Sequence, residues 1–128
     1  MRQITTWDEF PTVEYIPGVY RQAVSGEKVM LTRIVYRGGV VVAEHSHPAE
    51  QVMLVERGRL WAKVGDEESE VGPGSLLIVP SDCVHAFRQL GDEDVVFYEA
   101  FAPIRLEYLV GFKGPDPSLR DIRKGLEG

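Results

Sequence analysis

His45-Ser46-His47-Pro48-Ala49-Glu50-Gln51 sets two imidazoles and a carboxamide at a spacing suited to a metal ion. In an extended strand, residues two apart point to the same face, so His45 and His47 form half of a coordination sphere. Neutral imidazole is the commonest metal donor among side chains. Gln51 adds an amide oxygen, and Glu50 beside it is a rival fourth donor that strand alternation turns the other way. The chain has 3 histidines, and the third, His85, lies in a second patterned segment.

The first segment runs Gly39, five residues, His45, one residue, His47, three residues, Gln51, six residues, Gly58. The second runs Gly74, five residues, Pro80, four residues, His85. Together they resemble the two motifs of the cupin superfamily. That resemblance implies an all-β double-stranded β-helix, a jelly-roll barrel with ligands on facing strands. Within the general cupin pattern, Asp82 stands where Gly is usual and Gln89 where Asn is usual.

The rest of the chain fits that architecture. Short apolar runs at residues 19–24, 28–37, 40–44, 51–57, 59–64, 75–79, 84–89 and 94–102 read as strands. Gly38-Gly39, Arg57-Gly58, Gly72-Pro73-Gly74 and Gly91-Asp92 mark the reversals between them. The acidic run 66–70 reads as a solvated hairpin rim, and residues 118–124 as a short C-terminal helix capped by Ser118. One domain over residues 1–128 is expected, with its barrel at about 19–110.

Composition narrows the partners. With 14 Lys and Arg against 20 Asp and Glu, the net charge of -6 argues against a nucleic-acid backbone. The chain has no apolar run long enough for a membrane helix, and its first ten residues lack a signal-like apolar region. A cytoplasmic setting is therefore expected. The lone Cys83 forms no intrachain disulfide; it reads as a small buried thiol, although alternation could bring it near His85.

Small barrels fill their interior with side chains or enclose one ligand. Gln51, Met53 and Val55 share a face that would line such a cavity, which makes Met53 a candidate substrate contact. On the last strand Val95, Phe97, Glu99 and Phe101 share a face. Glu99 among apolar neighbours should have a raised pKa suited to proton transfer, unless Arg105 pairs with it. Arg105 offers a planar fork for a carboxylate, either a substrate's or that of Glu99.

Two longer strings resemble one branch of the cupins, the KdgF-type pectin-degradation enzymes. The first is His45 to Gln51 with Gly58; the second is Glu99-Ala100-Phe101-Ala102-Pro103-Ile104-Arg105 with Glu107-Tyr108-Leu109 behind it. The resemblance implies conversion of 4,5-unsaturated uronates into linear 4-deoxy-5-keto sugar acids. It also implies that His45, His47, Gln51 and His85 hold one divalent transition metal (Ni, Zn, Fe, Mn or Cu). Glu99 would be the acid/base, Phe101 would pack the substrate and Arg105 would clamp its carboxylate.

This chain departs from that branch at Glu99, where the signature has Asp. The extra methylene moves the carboxylate by on the order of 1 Å, a scale that matters for proton transfer. Gln51 in place of the commoner cupin Glu leaves all four donors neutral, so a bound ion keeps its charge and favours an anionic ligand. The alternatives to a uronate enzyme are an Fe or Cu dioxygenase and a non-catalytic module that binds a metal or small acid. A homodimer, paired through residues 13–24, is expected from fold analogy alone.

Overall fold

The computed structural model describes residues 3–109. Ten strands form two antiparallel sheets: β1 (Val13–Ile16), β2 (Val19–Ser25), β3 (Met30–Tyr36), β4 (Val41–His45), β5 (Glu50–Arg57), β6 (Arg59–Val64), β7 (Glu67–Val71), β8 (Leu76–Val79), β9 (His85–Leu90) and β10 (Val95–Ala102). The larger sheet has the order β1-β2-β3-β10-β5-β8, and the smaller has β4-β9-β6-β7. The fold is the all-β jelly roll expected of a cupin. The C-terminal helix expected at 118–124 lies outside the described residues.

Alternation builds the barrel wall. In β5, Gln51, Met53 and Val55 are buried while Val52 and Leu54 are exposed; in β10, Val95, Phe97, Glu99 and Phe101 are buried. Glu99 sits opposite Thr32 on one side and Met53 on the other. Tyr36 and Phe97 pack edge to face with ring centres 5.0 Å apart, at the middle of the main core. Each such fully buried apolar side chain contributes about 1.5–3 kcal/mol.

Two strands were not among the sequence candidates. Edge strand β1 is short, with Val13 and Glu14 exposed and Tyr15 and Ile16 half-buried, and β7 carries Glu67, Glu68 and Glu70 on a surface hairpin. Neither has the buried alternation by which a strand is recognised. The acidic run is a solvated hairpin, as expected, and its backbone is paired with β6 from Leu60↔Val71 to Val64↔Glu67.

The motif glycines and their substitute have clear backbone roles. Gly58 has φ +80, and a Cβ there would lie 2.6 Å from the Asp94 carbonyl oxygen. Asp82 occupies the left-handed region at φ 62, which explains why glycine suits that position. Its N–H donates to the His47 carbonyl at 2.9 Å, tying the second motif to the first. Buried Gln89 accepts from the Gly39 and Val40 N–H groups at 3.0 and 2.9 Å and donates to the Tyr36 and Glu93 carbonyls. This clamp holds the turn from which β4 departs towards the site.

Candidate metal centre and acid site

His45 ends β4 and is the direct cross-strand partner of His85, the first residue of β9. His47 lies beyond the end of β4, in the connection to β5, and is buried. The two-residue strand repeat therefore does not by itself aim His45 and His47 together; the bend after β4 brings His47 round to His85. One ligating atom from each of the three histidines lies within 4.8 Å of the others.

The second nitrogen of each ring fixes its tautomer. Nδ1 of His45, His47 and His85 lies 2.9, 2.8 and 2.9 Å from the carbonyl oxygens of Ala43, Ala49 and Cys83 respectively. A carbonyl only accepts, so Nδ1 carries the proton and Nε2 of the neutral ring presents a lone pair. Burial, with the Arg105 charge second, pushes the His47 pKa down to about 4. Burial, with His45 second, pushes that of His85 down to about 3. Both are neutral donors at neutral pH.

Gln51 is 1% exposed and Glu50 is exposed, which separates the rival fourth donors. The Gln51 amide Nε2 donates to Glu99 Oε2. This turns the amide oxygen towards His47, with Oε1 3.1 Å from Nε2. With Nδ1 protonated, these two facing atoms are both acceptors. Adjacent donors about 2.0–2.2 Å from a common ion lie about 2.8–3.6 Å apart at octahedral or tetrahedral angles. The cluster of His45, His47 and His85 suits a metal ion, and the Gln51 oxygen faces it at His47.

Glu99 adjoins this centre through Gln51 and receives Thr32 Oγ1 on Oε1 at 3.2 Å. Burial pushes its pKa up to about 7, against the opposing pull of Arg105 and its hydrogen bonds. Arg105 forms its ion pair with Glu107 at 2.8 Å, and its Nη1 donates to the Tyr108 hydroxyl at 2.6 Å. The guanidinium also lies over Phe101, 5.2 Å from the ring centre. Phe101 in turn packs edge to face on His47.

The cavity is lined by His45, Gln51, His85, Glu99 and Arg105 on its polar side, and by Tyr36, Phe87 and Phe97 among its apolar residues. Met53 is fully buried in the core behind this surface and does not line it. Cys83 is half-buried, with Sγ towards Gly65, and contributes to the centre through its carbonyl on His85. Sequence reasoning missed Arg21, which is buried on the inward face of β2. The available signal was an arginine in strand alternation with Val19 and Ala23.

Residues 32–101 match the family described as Cupin domain. The chain belongs to the cupin family. Among solved cupin structures it is similar to KdgF from Halomonas sp., at 22% identity and TM-score 0.77, over 85% of this chain and 100% of that one. An RmlC-like cupin from Shewanella frigidimarina matches at 18% identity and TM-score 0.78, over 85% and 97% of the two chains. Among curated proteins, polyketide synthase CurC from Streptomyces cyaneus is 30% identical over 89 residues, 69% of this chain. The chain spans about half, 52%, of that relative's length. No helix among the described residues is long and apolar enough to cross a membrane.

Proposed function

We propose that this cupin is a metal-dependent enzyme that moves a proton on a small organic acid, most concretely in ring opening and tautomerisation of a 4,5-unsaturated uronate. The observation that carries the reading is the Gln51 bridge, which joins the three-histidine centre to the buried Glu99 carboxylate. A divalent ion held by His45, His47, Gln51 and His85 would polarise the ligand's oxygens. Glu99, with a pKa of about 7, can take and return the proton near neutral pH. Arg105 would hold the ligand's carboxylate, its fork fixed by Glu107 and Tyr108. Phe101 would act by packing against Arg105 and His47, and Met53 by setting the position of Glu99 from the neighbouring strand.

Treatment with a chelator, followed by single-metal add-back while the enol-ether absorbance is followed, tests this reading. Metal-restored loss of absorbance supports it. Turnover that survives complete metal removal, or no turnover with any metal, contradicts it.

The apolar cavity wall favours a second reading. Tyr36, Phe87 and Phe97 suit an enolic acid with an apolar body, and a curated relative carries the name of a polyketide synthase. Proton transfer by Glu99 would be common to both substrates. A cytoplasmic homodimer belongs to the proposal as well; β1 lies at the edge of the larger sheet, where a second copy could pair.

A further inference from the structure

Arg21 is 7% exposed, and its Nη1 is buried with no hydrogen-bond partner among the described residues. Its contacts are aromatic instead. The guanidinium lies 4.6 Å from the ring centre of Tyr15 and 4.1 Å from that of Tyr108, and both rings line the cavity. Arg105 stands over the same Tyr108 ring, also at 4.1 Å, but its charge is met by Glu107. The Glu99 oxygens are taken by Thr32 and Gln51. A buried guanidinium without a carboxylate on its fork is costly, since aromatic faces return only part of the lost hydration.

We infer that Arg21 forms a second anion-binding subsite of the cavity, separate from Arg105, which takes the carboxylate of a small organic acid when Tyr108 turns aside. The Tyr108 ring is carried on a single 3₁₀ turn, residues Leu106–Tyr108, and its hydroxyl accepts from Arg105 Nη1, so a ligand that displaces the ring from Arg21 also releases that contact. The subsite matches a planar oxyanion because the guanidinium presents its donors in a fixed fork. It also lies on the β1–β2 side of the cavity, across the barrel wall from the histidines of β4 and β9. A ligand reaching both would carry its carboxylate away from the oxygen that faces the metal donors. The inference takes from the proposed function only that the ligand is an organic acid.

The test uses the full chain loaded with Zn²⁺ and calorimetric titration of matched probes: galacturonate with its methyl ester, and phenylacetate with its methyl ester. In the native protein at least one acid should bind more tightly than its ester. Arg21→Gln should reduce that preference roughly tenfold to a hundredfold, the worth of a hydrogen-bonded charge pair, with ester binding unchanged. Arg21→Lys, which keeps the stem and the charge but not the fork, should lose part of the preference and covers the case in which Arg21→Gln does not fold. A preference left unchanged in whichever variant folds with full metal content overturns the subsite, as does the absence of any preference in the native protein. Preference for phenylacetate alone, sensitive to Arg21, supports the subsite while removing support for a uronate. Failure of the uronate turnover assay is thereby separable from failure of the subsite.

Discussion

Gln51 Oε1 and His47 Nε2 face each other at 3.1 Å with no proton between them. Two acceptors are held at that distance because the Gln51 amide nitrogen is already committed to Glu99 and the His47 Nδ1 proton to Ala49. Such an arrangement is repulsive alone and favourable around a cation. One glutamine therefore links the three-histidine cluster to the candidate acid/base.

Gln51→Glu tests that link. The new carboxylate should tighten metal binding through its charge, but it replaces the donor that faces Glu99 with a second acceptor. One carboxyl of the pair must then hold a proton, so the Glu99 pKa rises further. Turnover should fall about tenfold or more at pH 7, with its pH profile displaced to the alkaline side. An unchanged profile would separate Gln51 from Glu99 function.

Glu99→Gln removes the proton carrier while keeping a side chain of similar size. Turnover should fall about 10²- to 10⁴-fold, with metal content retained. Steady-state kinetics paired with elemental analysis distinguishes this from loss of the metal site. If Glu99 were only structural, the rate would change little in a folded, metal-loaded variant.

In metal-free protein the combined contribution of His47, His85 and Glu99 to stability should peak near pH 7. His47 and His85 have folded pKa values of about 4 and 3, below the ordinary 6.5, so unfolding takes up protons as pH falls and their contribution is lost. Glu99 is opposite in sign: its folded pKa of about 7 exceeds the ordinary 4.5, so its contribution is lost as pH rises. From about pH 5 to 6 two protons are taken up and one is released on unfolding, a net rise of stability with pH of about 1.4 kcal/mol per unit. Urea denaturation of chelator-treated protein across this range provides the check; a flat or falling trend from pH 5 to 6 contradicts the assignment.

Gly58→Ala should destabilise the barrel by about 2 kcal/mol or more without altering metal stoichiometry, because it combines positive φ with a backbone clash at Asp94. Thermal denaturation reads this out. Little change would mean that the turn between β5 and β6 relaxes freely.

Much of the fold was legible because buried strands alternate. The inward faces of β5 and β10, the paired motifs and their glycines all follow from local pattern. Gln51 was separable from Glu50 for the same reason. The site was less legible where loops and long-range packing decide. His47 reaches the centre through a bend beyond β4, and Met53 is buried behind the cavity. The ion pair of Arg105 is made with Glu107, two residues away, while Glu99 feels it through its charge. Arg21 was missed because one charged residue in a strand carries no motif; its significance arises from Tyr15 and Tyr108 closing over it.

The most direct test of the central claim is metal content per chain, measured by elemental analysis in the native protein and in His85→Ala after equilibration with the same limiting divalent metal. The account predicts about one equivalent in the native chain and little in the variant, because removing one of three imidazoles opens the sphere. Equal metal content in the two proteins, or none in either, would contradict a centre built from His45, His47, His85 and Gln51.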